Sequence, residues 1–151
     1  MYFCTENPDA KLKLILPDHP KQLRNKILRL IEKLNLQLHI ILLEHLPFKQ
    51  LKAEIQLCNV VVVPSYTEGF CFAAVEASAW NVPIISSGKG ALKETVSGKN
   101  ITLEELNVEQ MVKALQRAKQ NDYDTIEIKK FELSTSVSAY EKLYNEILSS
   151  S

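Results

Sequence analysis

Val60–Glu94 reads VVVVPSYTEGFCFAAVEASAWNVPIISSGKGALKE, and its order of elements decides the fold class. Val60–Pro64 is an uninterrupted apolar run, the mark of a parallel strand covered on both faces. It stops at Pro64-Ser65, a short loop carries Glu68-Gly69, and an apolar helix follows over Cys71–Trp80. Val82–Ser86 is a second run of the same kind, followed by Gly88-Lys89-Gly90 and a short helix over Gly90–Val96. Strand, loop, helix, strand, loop, helix is the alternation of a parallel α/β sheet with right-handed crossovers. Ligands of such sheets bind beyond the carboxyl ends of the strands, where the Glu68 loop falls. The helix N-terminus behind that loop offers unpaired N–H groups and a partial positive charge suited to phosphate.

The same alternation extends outward. Lys11–Pro17 and Gln37–Leu43 read as strands, and Asn100–Leu103 is a weaker fifth candidate. Leu23, Ile27, Leu30, Ile31 and Leu34 mark one amphipathic helix, and Val108, Met111, Val112, Leu115 and Ala118 mark another. Phe48–Leu57 is a shorter one. A final helix over about 137–148 puts Val137, Tyr140, Leu143, Tyr144 and Ile147 on one side. The expected architecture is a Rossmann-like parallel sheet with helices on both faces, a single domain over residues 1–151. Asn121–Ser136 is the one long polar stretch and reads as a connector. At the start, Glu6-Asn7-Pro8-Asp9 reads as the end of one element leading straight into a strand.

Composition narrows the function. Average usage predicts roughly ten glycines in a chain of this length; there are four, Gly69, Gly88, Gly90 and Gly98, all in one short window. Lys plus Arg and Asp plus Glu both number 18, so no charge excess favours nucleic acid or an anionic membrane. Cys4, Cys58 and Cys71 are odd in number and lack metal-ligand spacing, so they read as free thiols of a reducing compartment. Met1–Ala10 lacks the basic start and apolar run of a secretory signal, and no apolar stretch is long enough to span a bilayer. The expected location is the cytoplasm, with room for a peripheral position on the inner face of a membrane.

Glu76 is the informative residue. With Phe72, Val75 and Ala79 it completes a helical stripe, and it is the only charged residue between Glu68 and Lys89. An unpaired carboxylate on an apolar face is costly. Either a distant Lys or Arg or solvent satisfies it, or a ligand's vicinal diol does, two hydroxyls donating to its two oxygens. Glu68 is open to a simpler reading as a helix-capping carboxylate. Lys89 could reach a phosphate, although a solvated loop lysine is the simpler case. Glu94 fits an early-helix carboxylate. His19, His39 and His45 share no ligand spacing, which argues against a metal site. Cys71 has apolar neighbours and no nearby His, so it reads as a packed thiol rather than a nucleophile.

The string PSYTEGFCFAAVEASAWNVPIISS resembles the signature of the large retaining GT-B glycosyltransferase family, family four. Its marks are Pro-Ser after a strand, two glutamates separated by seven residues, and then x-Pro followed by two hydrophobic residues. Weaker similarity runs from about Asp9 to the Tyr140–Tyr144 helix, always to the C-terminal, nucleotide-sugar-binding half of such enzymes. The resemblance implies the donor-binding half of a hexosyltransferase of glycan, lipid or polysaccharide synthesis. It makes Glu68 the catalytic-site carboxylate holding donor-sugar hydroxyls, and Glu76 the partner of the ribose hydroxyls. Backbone N–H groups near Phe70, Cys71 and Phe72 would meet the sugar or diphosphate, with Ser65, Gly69, Lys89 and Gly90 completing the donor site. No metal or other cofactor is implied, since basic side chains and a helix N-terminus stabilise the leaving diphosphate. A non-catalytic nucleotide-sugar-binding or regulatory module of the same fold is the alternative.

The sequence departs from the family pattern in four places. Cys71 stands where a glycine is usual, Trp80-Asn81 replaces a small residue and glycine, and Leu16-Pro17-Asp18 replaces a glycine-containing turn. The first strand-helix unit, which carries the family's phosphate-binding Arg and Lys, is not found, nor is the acceptor-binding N-terminal domain. The chain alone is therefore expected to be inactive and to work with an N-terminal half from the same gene or a separate subunit. An unpaired strand edge that recruits such a subunit, or a second copy as a homodimer, is expected as well.

Overall fold

The computed structural model describes residues 2–16 and 18–149, in which helices and strands alternate without exception. In chain order they are α1 (Tyr2–Glu6), β1 (Leu12–Ile15), α2 (Lys21–Lys33), β2 (Ile40–Leu43), α3 (Phe48–Gln56), β3 (Val61–Val63) and α4 (Phe72–Ala79). There follow β4 (Ile84–Ser86), α5 (Leu92–Thr95), β5 (Gly98–Thr102), α6 (Val108–Lys119), β6 (Asp124–Ile126) and α7 (Leu133–Ser149). The parallel α/β reading holds, with two corrections. The strands form two sheets, β1-β2 and β3-β4-β5-β6, and β6 runs antiparallel to β5. The polar stretch read as a connector thus contains a three-residue strand, too short and too exposed to show any alternation. The final helix begins at Leu133, four residues earlier than its apolar stripe suggested.

Three helices end the same way, and that ending explains the scarcity of glycine. Asn35, Asn81 and Asn121 have φ of 53°, 63° and 56°, just past the ends of α2, α4 and α6. Behind each, paired backbone bonds close the helix: at α4, Asn81 N–H donates to Ser78 O (3.0 Å) and Val82 N–H to Ala77 O (2.9 Å). This is the Schellman arrangement, which accepts asparagine where glycine is commoner because its short polar side chain tolerates the left-handed region. The Trp80-Asn81 departure is therefore conservative in backbone terms. The Leu16-Pro17-Asp18 departure includes Pro17, which lies outside the described residues.

The core lies on both faces of the larger sheet. Val63, Ala74, Ala77, Val82, Ile84, Leu92 and Val96 pack on the side covered by α4 and α5. Ile85, Ile101, Leu103 and Ala114 pack on the side covered by α6. Ile84 and Ile85 are successive residues of β4 and enter opposite clusters, as the two-residue period of a strand requires. The smaller sheet is joined through α3, whose Glu54 accepts from Lys13 Nζ of β1 (2.7 Å) and whose Phe48 meets Trp80 edge-on at 5.9 Å. Pairing with Glu54 raises the Lys13 ammonium above its usual range.

Candidate donor-binding site

The loops after β3 and β4 meet at the carboxyl edge of the larger sheet. Ser87 N–H donates to Val63 O (3.1 Å), and Ser87 Oγ–H donates to Ser65 O (2.5 Å). Lys89 N–H reaches Ser87 Oγ (3.3 Å), and Ala91 N–H donates to Glu68 O (3.0 Å). Gly90 has a φ of +56°, and a Cβ there would lie 2.7 Å from Glu68 O and 2.9 Å from Glu68 N. So close an approach excludes any side chain, which is a physical reason for spending one of four glycines here. The clustering of Glu68 and Gly69 with Gly88–Gly90 is thus a direct result of backbone contact.

Within this clasp Glu68 is half-buried, and its Oε1 accepts the Ser65 hydroxyl at 2.7 Å. The capping reading does not survive: the N-cap of α4 is Cys71, three residues later, and it makes no side-chain cap. Cys71 has φ 65° and ψ 75°, the left-handed conformation that a glycine would adopt without strain. The glycine usual at this position in the family pattern would suit this backbone conformation, although the residue is a cysteine. The thiol packs against the α4-side core, as its apolar neighbours predicted. Burial, and to a lesser degree the charge of Glu68, push the thiol up from its ordinary value, partly opposed by the N–H groups of Ala73 and Ala74. A thiol held protonated is a poor nucleophile.

At the start of α4 the N–H groups of Phe70, Cys71 and Phe72 have no acceptor among the described residues. Glu76, one turn into the helix, is half-buried and likewise has no partner among them. Its setting differs from the stripe read in the sequence. The covered face of α4 is Ala74, Ala77 and Ser78, whereas Phe72 is 72% exposed and Ala79 is exposed. Glu76 therefore stands on an apolar but open flank, where the cost of its charge is lower than burial would impose. Lys89 and Glu94 are exposed, and Lys89 is the one basic side chain on the two loops. His39 is spent elsewhere, its Nδ1 lying 2.9 Å from Ala10 O.

Two neighbours of the site escaped the sequence reading. Ser87 is indistinguishable from Ser86 by pattern, yet it carries the contact between the loops. Phe131, from the polar stretch, meets Phe70 at 5.0 Å, and Phe70 meets Phe72 at 5.1 Å, both edge-on. Lys129 brings that segment back, its Nζ donating to Glu94 O (2.6 Å) and its N–H to Ser97 Oγ (3.2 Å). A lone phenylalanine among polar residues was the only available signal.

The carboxyl edge of this α/β sheet thus joins two loops, a helix start whose N–H groups are unengaged among the described residues, and two acidic side chains, at the place where open α/β sheets bind their ligands. Residues 5–135 match the family described as Glycosyl transferases group 1, and the chain belongs to that family. An uncharacterized glycosyltransferase of Methanocaldococcus jannaschii is 39% identical over 87 residues, covering 57% of this chain and 24% of that protein. The D-inositol 3-phosphate glycosyltransferase of Corynebacterium glutamicum is 30% identical over 94 residues, covering 60% and 22%. A phosphatidylinositol N-acetylglucosaminyltransferase subunit of Arabidopsis thaliana is 28% identical over 115 residues, covering 76% and 25%. In fold, the chain matches a sucrose-phosphate synthase from Thermosynechococcus elongatus with a TM-score of 0.75 at 22% identity, over 99% of this chain and 41% of that one. The fold is accordingly that of a GT-B glycosyltransferase half. The chain spans about a quarter or less of the curated relatives it matches. Among the described residues no helix is long and apolar enough to cross a membrane.

Proposed function

We propose that the chain is the donor-binding half of a retaining hexosyltransferase and that its site holds a nucleoside diphosphate sugar without a metal. The observation that carries this reading is the group of three unengaged N–H groups at the start of α4, flanked by Glu68 and Glu76. The N–H groups suit the diphosphate or a sugar hydroxyl. Glu76, on an open flank and without a partner among the described residues, takes the ribose diol, and Glu68 takes hydroxyls of the hexose. Lys89, exposed in the second loop, would meet phosphate as a point charge. Transfer requires an acceptor held in line with the anomeric carbon, and an N-terminal half, in the same polypeptide or a separate subunit, supplies that surface.

The single basic side chain on the two loops favours a second reading, a binding or regulatory module without chemistry of its own. A departing diphosphate needs more positive charge than one exposed lysine provides. A transfer assay with the N-terminal half supplied separates the two readings.

The donor site itself is tested by titrating the chain calorimetrically with UDP, GDP and ADP and their glucose or mannose conjugates. Glu76→Gln keeps the shape and removes a charge-assisted acceptor, so nucleotide affinity falls about ten- to hundred-fold with the thermal transition unchanged. Unchanged affinity with altered stability would make Glu76 a structural residue.

A further inference from the structure

Ser65 stands beside the proposed donor, yet its hydroxyl proton is already committed to Glu68 Oε1 at 2.7 Å. Its own carbonyl is held in turn by the buried Ser87 hydroxyl at 2.5 Å, and Ser87 Oγ accepts from Lys89 N–H at 3.3 Å. The Glu68 backbone is fixed from the same second loop, through Ala91 N–H at 3.0 Å and the close approach of Gly90. Glu68 is thus gripped at both ends by a chain of bonds that starts in the loop after β4. A glutamate side chain without such a bond has several rotamers and would lose that freedom on binding a sugar. One bond to Oε1 removes much of this cost in advance. A carboxylate has about four acceptor sites; the Ser65 bond occupies one and the Cys71 thiol also faces the group, and the acceptor sites that remain can take ligand hydroxyls.

We propose that Ser65 is a positioning residue: it presents the Glu68 carboxylate to the hexose of the donor, with Ser87 holding Ser65 in place, rather than touching the donor itself. This rests on the donor-site reading above. It assigns Ser65 to recognition of the sugar and leaves the nucleotide to other groups, which the two components of the ligand can separate.

The test compares the affinity of the chain for each nucleoside diphosphate with that for its hexose conjugate, in the native protein, Ser65→Ala and Ser65→Thr. The native chain binds one conjugate more tightly than the bare diphosphate. Ser65→Ala is expected to lose about ten-fold in conjugate affinity while the diphosphate changes less than about two-fold. Ser65→Thr, which keeps a hydroxyl, is expected to restore the difference. A preserved difference in Ser65→Ala overturns the proposal, and so does an equal loss for both ligands, which would mark a structural role. If the native chain binds conjugate and diphosphate equally, Glu68 does not read the sugar and the proposal falls while the nucleotide site stands. If it binds none of the panel, the donor-site reading falls and takes the proposal with it.

Discussion

β3 through β6, with α4 to α6, and the remainder of the chain are built of equally regular elements, but they are covered very differently. Among the described residues every buried side chain lies between Val63 and Ala114. α2, α3 and α7 have none, although α2 and α7 carry clear apolar stripes. Leu30 of α2 is 53% exposed and Tyr140 of α7 is 62% exposed. β1 has one neighbouring strand, β2, and β3 likewise has only β4 among the described residues. A helical period reports that an apolar face exists; whether that face is covered depends on what packs against it. The four glycines and the proposed donor site all belong to the covered region, where loops can be held to the tolerance that recognition needs.

The sharpest way to break this comparison is to truncate one apolar side chain in each region. Ile84 is fully buried, so Ile84→Ala should cost about 2–5 kcal/mol, the removed methyl groups plus the cavity they leave. Leu30→Ala, starting half-exposed, should cost less than about 1 kcal/mol. Urea unfolding of both variants decides the matter. Equal losses would mean that α2 is covered in solution, by another copy or another polypeptide, and the contrast would then describe only the isolated chain.

A smaller effect lies inside the covered region, at Cys71. The left-handed conformation costs a residue with a Cβ about 1–2 kcal/mol, which Cys71→Gly removes. Glycine's greater freedom in the unfolded chain offsets roughly 0.5–1 kcal/mol of that gain. The net expectation is a stabilisation of up to about 1.5 kcal/mol, read as a small rise in the thermal midpoint. A clear loss instead would show that packing of the thiol on the α4-side core outweighs its backbone strain.

Much of this is legible in the amino-acid sequence. The apolar runs at Val60–Pro64 and Val82–Ser86 mark β3 and β4, because strands covered on both faces leave little room for polar residues. The Glu68 loop and the Cys71–Trp80 helix were placed within a residue of their observed bounds, since proline, glycine and a change of period all coincide there. What sequence could not provide was partnership. β6 is three residues paired along one edge, and its pairing depends on Gly98–Asn100 rather than on anything in Asp124–Ile126 itself. The stripe through Glu76 was real in spacing but lay on the open flank of α4, because Ala74, Ala77 and Ser78 allow closer approach to the sheet. Ser87 and Phe131 reached the site through tertiary contact alone.

The smallest effect concerns two serines of the covered region and reverses the usual sign. Ser78 is buried, donates its hydroxyl proton to Ser97 O at 3.0 Å and accepts from Ser97 N–H at 3.3 Å. Ser86, at the carboxyl end of β4, is 1% exposed, and its Oγ has no partner among the described residues. Removing a satisfied hydroxyl leaves two backbone groups short of a bond, so Ser78→Ala should cost about 1 kcal/mol. Removing an unsatisfied one relieves a desolvated dipole, so Ser86→Ala should be neutral or stabilise by up to about 1 kcal/mol. Thermal unfolding of the two variants side by side reads the difference, and the helix propensity that Ser78→Ala gains works against the expected loss there. If Ser86→Ala destabilises as much as Ser78→Ala, the Ser86 hydroxyl has a partner in solution, and a buried water is the candidate of the right size. That outcome would place a polar pocket beneath the loop that carries Lys89, in the middle of the covered region.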